Sequence, residues 1–243
     1  MRKLNGTTDV VILCGGMGTR LREETDIKPK PMVEIGGKPI LWHIMKHYSQ
    51  HGLSRFVLAL GYKGDLVKEY FSRPQDEKWE VVCVDTGPDT LKGGRVKRLE
   101  PHIKSNRFHL TYGDGVSDID LSGLESFHRK TGKTGTVSAV RPPSRFGELL
   151  IDGDMVKEFE EKPQLTTGHI NGGYFIFEKR FLDYLTTDEK CDLEFGALQK
   201  LAREGELSAY KHEGYWQCMD NVRDMEYLNK LWQGDNPPWK TWK

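Results

Sequence analysis

The chain has 243 residues, enough for one large α/β domain with a buried core. Lys and Arg together number 36, and so do Asp and Glu, so the formal net charge is zero and the composition lacks the basic excess of a non-specific nucleic-acid binder. No run reaches the roughly 18 apolar residues of a transmembrane helix, and the short polar start lacks the apolar core of a signal peptide. We therefore expect a cytoplasmic protein that binds neither nucleic acid nor membranes.

The first half of the sequence alternates apolar runs with amphipathic stretches. The predicted elements are, in chain order, a strand at residues 10–14, a helix at 39–51, a strand at 55–61, a helix at 65–71, and strands at 81–85 and 108–112. Such an alternation predicts an α/β fold with a doubly wound, mostly parallel sheet. Ligands of such sheets bind at the carboxyl ends of the strands.

The second half, from about residue 135, contains more strand-like pieces. Strands are predicted at residues 136–140, 148–151 and 173–178, and a helix at 194–204. Residues 236–243 are rich in Pro and Trp, and we expect either a docked tail or part of an oligomer contact.

A glycine-rich run at residues 15–18 follows the first predicted strand. Glycines at a strand end let backbone N–H groups approach an anion closely. Arg20, Lys28 and Lys30 come soon afterwards and could neutralise a polyphosphate. The P-loop string G-x-x-x-x-G-K-S/T does not occur, and the dinucleotide motif G-x-G-x-x-G would need a glycine at Leu21. We therefore predict a phosphate-binding loop of another kind.

Two separated aspartates are candidate metal ligands. Asp114 lies between Gly113 and Gly115 after the predicted strand at 108–112, and Asp220 follows a short apolar segment. Mg²⁺ is commonly held by one or two carboxylates and several waters. The alternative for Asp114 is a structural aspartate in a turn. Sequence spacing alone does not show that the two carboxylates converge.

Other polar groups lie in the second half. Lys162 could bind a sugar phosphate, and Glu161 and Asn171 could bind hydroxyls, although Glu-Glu-Lys-Pro is also typical of a charged surface turn.

Histidines and cysteines give weaker signals. His43, His47 and His51 recur every four residues on one predicted helix, a spacing that suits metal ligands, but they adjoin its apolar face, so we expect histidines at the boundary of the core. The scattered cysteines predict reduced thiols and not a disulfide framework or a zinc site. They are Cys14, Cys83, Cys191 and Cys218.

Taken together, these segments resemble the sugar-1-phosphate nucleotidyltransferase family, and in particular its glucose-1-phosphate cytidylyltransferases. The resemblance runs from residue 10 to residue 242. It is carried by residues 11–21 (VILCGGMGTRL), 28–45 (KPKPMVEIGGKPILWHIM), 61–64 (GYKG), 85–87 (DTG), 93–95 (GGR), 111–115 (TYGDG), 145–147 (RFG), 161–163 (EKP), 171–173 (NGG) and 238–242 (PWKTW).

The resemblance implies a Rossmann-like nucleotidyltransferase fold in a single domain. Its nucleotide-binding part would span about residues 9–134 and its smaller sugar-phosphate-binding part about 135–243. Nucleotide binding is implied for Leu13, Cys14, Gly15, Gly16, Met17, Gly18, Thr19, Arg20, Lys30, Thr86, Gly87, Thr90, Arg95 and Gly113. The turn at residues 85–87 would face the cytosine, with Thr90 and Arg95 beside it near the base and phosphates. Sugar-phosphate binding is implied for Gly147, Glu161, Lys162 and Asn171.

The resemblance also implies a reaction and a cofactor. Glucose 1-phosphate would attack the α-phosphate of CTP, giving CDP-glucose and pyrophosphate, with Mg²⁺ held by Asp114 and Asp220. Arg20 and Lys30 would stabilise the leaving pyrophosphate, and Lys162 would hold the sugar phosphate. Because the sugar phosphate is already an anion, catalysis needs no general base and consists of positioning and charge neutralisation.

Three alternatives remain open. The chain could use UTP or dTTP, because base choice depends on a few contacts near residues 85–95. It could be a non-catalytic paralogue that binds a nucleotide sugar, although such a protein would usually have lost Lys30, Asp114 or Lys162. A glycosyltransferase is the third, since residues 118–120 formally match a D-x-D metal motif.

The chain departs from the family in three places, one of which is residues 192–198, where the match to the family's acidic helix start is poor. Only residues 72–84 join the 69–71 and 85–87 segments, where the cytidylyltransferases carry a longer stretch. We expect a homo-oligomer, with altered contacts at this shortened segment. Cys14 stands where the family usually has alanine, a small-for-small change that should be tolerated.

Overall fold

The structure of the protein is a computed structural model that describes residues 4, 8–16, 18, 21–142, 148–152, 154–160 and 168–242. The strands in these residues are, in chain order, β1 (Asp9–Leu13), β2 (Glu34–Ile35), β3 (Lys38–Pro39), β4 (Arg55–Leu60), β5 (Glu80–Asp85), β6 (Arg107–Tyr112), β7 (Gly115–Ser117), β8 (Gly135–Val140), β9 (Glu148–Asp152), β10 (Met155–Glu160), β11 (Ile170–Glu178), β12 (Leu207–His212) and β13 (Trp216–Cys218).

Helices connect these strands. The α-helices are α1 (Arg22–Thr25), α2 (Ile40–Gln50), α3 (Gly64–Ser72), α4 (Lys92–Arg98), α5 (Leu121–Thr131), α6 (Gln199–Arg203) and α7 (Val222–Gln233). Short 3₁₀ turns cover Lys30–Met32, Glu100–His102 and Lys179–Tyr184, and a π-helical turn covers Leu193–Leu198.

Seven strands form the central sheet, in the order β12-β8-β11-β6-β1-β4-β5. Four neighbouring pairs are parallel: β1 with β4, β1 with β6, β4 with β5, and β8 with β12. Strand β11 runs antiparallel to both β6 and β8, and so joins the strands of the first half to those of the second. The predicted α/β fold with a doubly wound, mostly parallel sheet is confirmed.

The central strands are apolar on both faces because helices cover both. Along β1, Val10 and Ile12 belong to one core cluster and Val11 and Leu13 to the other, as the two-residue period of a strand requires. Helix α2 covers the first cluster, with Ile40 and Ile44 among its buried residues. This double burial explains why the strands are continuous apolar runs in the sequence.

Most predicted elements are confirmed to within one or two residues, but the predicted helix at 194–204 begins differently. It opens with the π-helical turn and continues as α6. The wider turn brings Leu193, Ala197 and Leu198 onto one core cluster, and the Asp192 carboxylate accepts a hydrogen bond from Phe195 N over 2.7 Å at its start.

The two histidines of α2 and His51, which caps its carboxyl end, are buried in the core and do not lie at its boundary as expected. His43, His47 and His51 are 0%, 2% and 0% exposed. His43 Nε2 lies 2.9 Å from Ile35 O and His47 Nε2 lies 3.0 Å from Ile119 O, so backbone carbonyls satisfy these ring nitrogens in place of water. Among the described residues, no group of three or more His, Cys, Asp or Glu could hold a metal ion.

The Pro/Trp-rich end is a docked tail. Trp239 is 1% exposed and its ring packs against His43 of α2. The four cysteines are free thiols, as expected. Among the described residues, no helix is both long enough and apolar enough to cross a bilayer.

Candidate active site

A two-stranded ribbon brings Asp114 and Asp220 together. Asp114 occupies the turn between β6 and β7, and Asp220 follows β13. Strand β13 pairs antiparallel with β7, with Cys218 opposite Gly115, and Met219 N donates to Asp114 O over 2.8 Å. The two aspartates therefore lie side by side at the carboxyl end of β6.

The side chain of Lys30 lies between the two carboxylates. Its Nζ donates to Asp114 Oδ2 and to Asp220 Oδ1, both over 2.7 Å. Burial on its own lowers the pKa of Lys30, but the charge of Asp114 and the hydrogen bonds to both carboxylates outweigh it, so the pKa lies above its usual value. The ammonium is therefore charged, and these three predicted site residues form one cluster.

Helix α7 fixes the backbone at Asp220. Asn221 caps the helix by accepting from Asp224 N over 3.1 Å, and Asp224 Oδ2 accepts in return from Asn221 N over 3.2 Å. The same Asp224 oxygen accepts from Asp220 N over 2.8 Å. This capping box holds Asp220 at the start of a helix, where a negative charge is favoured.

A pocket of about 180 Å³ opens beside the cluster, and Asp114, Asp220 and Asn171 contribute to its walls. Asn171 Nδ2 donates to the Tyr112 hydroxyl over 3.1 Å, and that hydroxyl donates to Glu194 Oε1 over 2.8 Å. Burial, assisted by the charge of Glu194, raises the pKa of Tyr112, so the hydroxyl stays protonated. The structure thus places Asn171, predicted to bind sugar, next to the predicted metal ligands.

The glycine-rich loop leaves the same end of the sheet. Leu13 and Cys14 are buried at 8% and 1% exposure, so the cysteine fills a core position. Gly113 N donates to Leu13 O over 3.0 Å and ties the ends of β1 and β6 together. Gly16 is exposed, and Gly18 adopts a positive φ of 63° that suits glycine. The loop therefore lies beside the aspartate cluster.

The residues predicted to face the nucleobase form a connected group at the end of β5. Thr86 Oγ1 donates to Leu60 O over 2.6 Å, Gly87 N donates to Asp85 Oδ1 over 2.9 Å, and Thr90 Oγ1 accepts from Arg98 over 2.8 Å. Arg95 lies between this group and Gly15 of the glycine-rich loop.

The remaining predicted site residues lie outside the described residues. They are Met17, Thr19, Arg20, Gly147, Glu161 and Lys162.

The aspartate pair fits a small divalent cation. Both carboxylates direct an oxygen to the same point, which the Lys30 ammonium takes here, so they can converge on one cation. Their side chains are 30% and 20% exposed, which leaves room for the waters that Mg²⁺ retains. Carboxylate oxygens are hard donors, and they bind Mg²⁺ in preference to softer metal ions.

The D-x-D string at residues 118–120 serves the fold. Asp118 Oδ1 accepts from Tyr215 N over 2.7 Å, and Asp120 Oδ1 caps α5 by accepting from Ser122 N over 3.0 Å. These carboxylates hold a turn and a helix start, so nothing here favours a glycosyltransferase metal motif.

Two residues of the site were missed from the sequence. Glu194 meets Tyr112 across 82 positions of sequence, and no local pattern marks that contact. Asp224 carries a recognisable signal, since Asn followed three residues later by an acidic residue resembles a capping box.

Comparisons with known proteins identify the family. A family model described as "Nucleotidyl transferase" matches residues 9–231. A glucose-1-phosphate cytidylyltransferase from Salmonella typhi is 46% identical over 255 aligned residues, covering 96% of this chain and 99% of that protein. A probable glucose-1-phosphate cytidylyltransferase from Bacillus subtilis is 40% identical, covering 96% of this chain and 99% of its own length.

A solved structure shows the same fold. The crystal structure of HddC from Yersinia pseudotuberculosis is 28% identical in sequence and superimposes with a TM-score of 0.74, covering 93% of this chain and 99% of HddC. The family match spans most of the chain, and the cytidylyltransferases align with nearly all of it. This chain belongs to the nucleotidyl transferase family of enzymes.

Proposed function

We propose that the protein transfers the cytidylyl group of CTP to glucose 1-phosphate and releases pyrophosphate, forming CDP-glucose. The observation that carries this proposal is the 46% identity to a glucose-1-phosphate cytidylyltransferase over almost the full length of both chains. The meeting of Lys30, Asp114 and Asp220 at the carboxyl end of the sheet supports it, because ligands of such sheets bind there.

The reaction is an in-line displacement at the α-phosphorus. A phosphate oxygen of glucose 1-phosphate forms the new bond to phosphorus, and the bond from phosphorus to the bridging oxygen of pyrophosphate breaks. Both leaving group and nucleophile are anions, so no proton has to move. The protein therefore contributes alignment and positive charge.

Positive charge would come from the amino-terminal side chains. We assign Lys30 and Arg20 to the triphosphate, where they stabilise the leaving pyrophosphate. To reach it, the Lys30 ammonium exchanges carboxylate oxygens for phosphate oxygens. Asp114 and Asp220 would then hold Mg²⁺, which supplies positive charge at the α-phosphate when bound.

The second half of the chain would hold the sugar phosphate. We assign Lys162 to its phosphate and Gly147, Glu161 and Asn171 to the sugar. The position of Asn171 in the wall of the same pocket as Asp114 supports this assignment. In this proposal the single domain divides into a nucleotide-binding part at about residues 9–134 and a sugar-phosphate-binding part at about 135–243.

Base choice separates the proposal from its nearest rival, a UTP- or dTTP-dependent enzyme. Initial rates of pyrophosphate release should be measured with CTP, UTP, dTTP, ATP and GTP against glucose 1-phosphate, with and without EDTA. We expect the highest kcat/KM with CTP, CDP-glucose as the product, and loss of the activity in EDTA. Faster turnover with UTP or dTTP would replace the assignment, and no turnover with any nucleotide would favour a non-catalytic binding protein.

We also propose a cytoplasmic homo-oligomer. Four free thiols suit a reducing compartment, and Met155 and Val156, exposed at 67% and 50% on β10, suit a contact between copies. Light scattering on the purified protein would report the oligomeric state, and a single-chain mass would contradict this part of the proposal.

A further inference from the structure

The guanidinium of Arg95 joins the ends of three adjacent strands. Arg95 belongs to α4 and is 4% exposed. Its two terminal nitrogens donate to five protein oxygens at or just beyond the ends of β1, β4 and β5. These are Gly15 O at 3.1 Å, Leu60 O at 3.0 Å, Thr86 Oγ1 at 2.8 Å, Gly87 O at 2.7 Å and Pro88 O at 2.9 Å.

Two glycines make room for this contact. A Cβ on Gly15 would lie 2.3 Å from Arg95 Cζ, and a Cβ on Gly61 would lie 2.5 Å from one terminal nitrogen. Any larger residue at either position would displace the guanidinium. The glycines at these strand ends therefore accommodate an arginine as well as a substrate.

The contacts fix the loop predicted to face the base. Arg95 donates hydrogen bonds to oxygens of Thr86, Gly87 and Pro88. Arg98 donates a further hydrogen bond to Thr86 O over 2.8 Å. Both terminal nitrogens of Arg95 are engaged by protein oxygens, so the side chain anchors this loop to the glycine-rich loop.

We propose that Arg95 is a positioning residue that sets nucleobase selectivity by tying the residue 86–88 loop to the glycine-rich loop at Gly15. This inference rests on the proposed function, in which the base lies between these loops. Bases that differ in one donor or acceptor are discriminated by polar groups held at fixed positions, so a loop free to shift loses discrimination before it loses chemistry.

The test uses Arg95→Lys, which keeps the positive charge but removes the planar set of guanidinium donors. Its matched control is Arg129→Lys on α5, where Arg129 pairs with Glu125. KM and kcat are measured for CTP and UTP at saturating glucose 1-phosphate. For Arg95→Lys we expect the ratio of kcat/KM for CTP to that for UTP to fall about tenfold, mostly through KM for CTP. The KM for glucose 1-phosphate should stay constant, and Arg129→Lys should keep the wild-type ratio.

Other roles give other results. An arginine that touches the triphosphate would lower kcat/KM for both nucleotides by the same factor, and a merely structural one would lower the melting temperature with an unchanged ratio. Either result would overturn the proposal. If Arg95→Lys does not fold, Gly61→Ala displaces the same guanidinium, and a wild-type ratio in that variant would also overturn it.

The preference for CTP in the proposed function can be wrong while the role of Arg95 is right. If the wild-type chain prefers a nucleotide other than CTP, the same ratio is taken between the preferred nucleotide and the next best.

Discussion

Lys30 and Asp220 stand 190 positions apart in the sequence, yet Lys30 Nζ lies 2.7 Å from Asp220 Oδ1. The same nitrogen lies 2.7 Å from Asp114 Oδ2. The ammonium therefore takes the place between two carboxylates that we assign to Mg²⁺. In the proposed mechanism lysine and metal would compete for these oxygens, and a bound nucleotide would end the competition because its phosphates would accept the ammonium.

Removing this lysine should strengthen the binding of metal alone. A unit positive charge close to the site opposes a cation by about 1–4 kcal/mol, depending on the effective dielectric constant. We therefore expect Lys30→Met to bind Mn²⁺ without nucleotide at least about tenfold more tightly than the wild type, measured by isothermal titration calorimetry. Lys28→Met is the control, because Lys28 pairs with Glu24 and Glu34. An unchanged Mn²⁺ affinity in Lys30→Met would refute the competition.

Each aspartate should be required for turnover. Asp114→Asn or Asp220→Asn should lower kcat for pyrophosphate release by on the order of 10²-fold or more, because a metal ligand contributes several kcal/mol of transition-state stabilisation. Asp65→Asn serves as the control, since the Asp65 side chain on α3 is 96% exposed. Wild-type turnover in both site variants would remove these carboxylates from the mechanism.

Asp224 should affect catalysis through Asp220. Asp224→Ala and Asn221→Ala each remove half of the capping box, and each should cost about 1 kcal/mol in the free energy of unfolding, measured in urea. Only Asp224→Ala also releases Asp220 N, so kcat should fall further in that variant. Equal kcat values in the two variants would mean that the capping box stabilises α7 without positioning Asp220.

The buried histidines predict a loss of stability in mild acid. Burial lowers the pKa of His43 to about 4, and burial followed by the charge of His51 lowers that of His47 to about 3. The unfolded chain takes up these protons near pH 6.5 and the folded chain does not. The free energy of unfolding should therefore fall by about 1.4 kcal/mol per histidine for each pH unit between about pH 6.5 and about pH 4.

The histidine prediction can be checked by urea unfolding at pH 7.5, 6 and 5. His47→Gln should reduce the slope between pH 6 and 5 by the contribution of one proton. A slope identical to that of the wild type would show that His47 is not one of the groups responsible.

Much of the fold follows from local patterns. The runs at β1 and β4 are buried on both faces, so their residues after the charged first position, Asp9 or Arg55, are all apolar, and that signal survives in a single sequence. The glycines and Asp114 could be placed at strand ends for the same reason. The sheet order could not, because it depends on β11 joining β6 and β8.

The assembly of the site depended on contacts that leave no local signal. Asp114 and Asp220 meet because β7 and β13 pair over three residues each, which is too short to produce a recognisable alternation. Resemblance placed Arg95 near the base, but a sequence does not show that its terminal nitrogens donate to four main-chain oxygens and the Thr86 hydroxyl. His43 and His47 were placed at a boundary because the tail residues that contact them, Trp239 and Thr241, are distant in sequence.

A crystal structure with Mn²⁺ and a non-hydrolysable CTP analogue tests the central claim most directly. We expect an anomalous peak about 2 Å from carboxylate oxygens of both Asp114 and Asp220, with Lys30 Nζ moved onto the triphosphate. A metal bound elsewhere, or a Lys30 ammonium still lying between the two carboxylates with the nucleotide in place, would contradict the account.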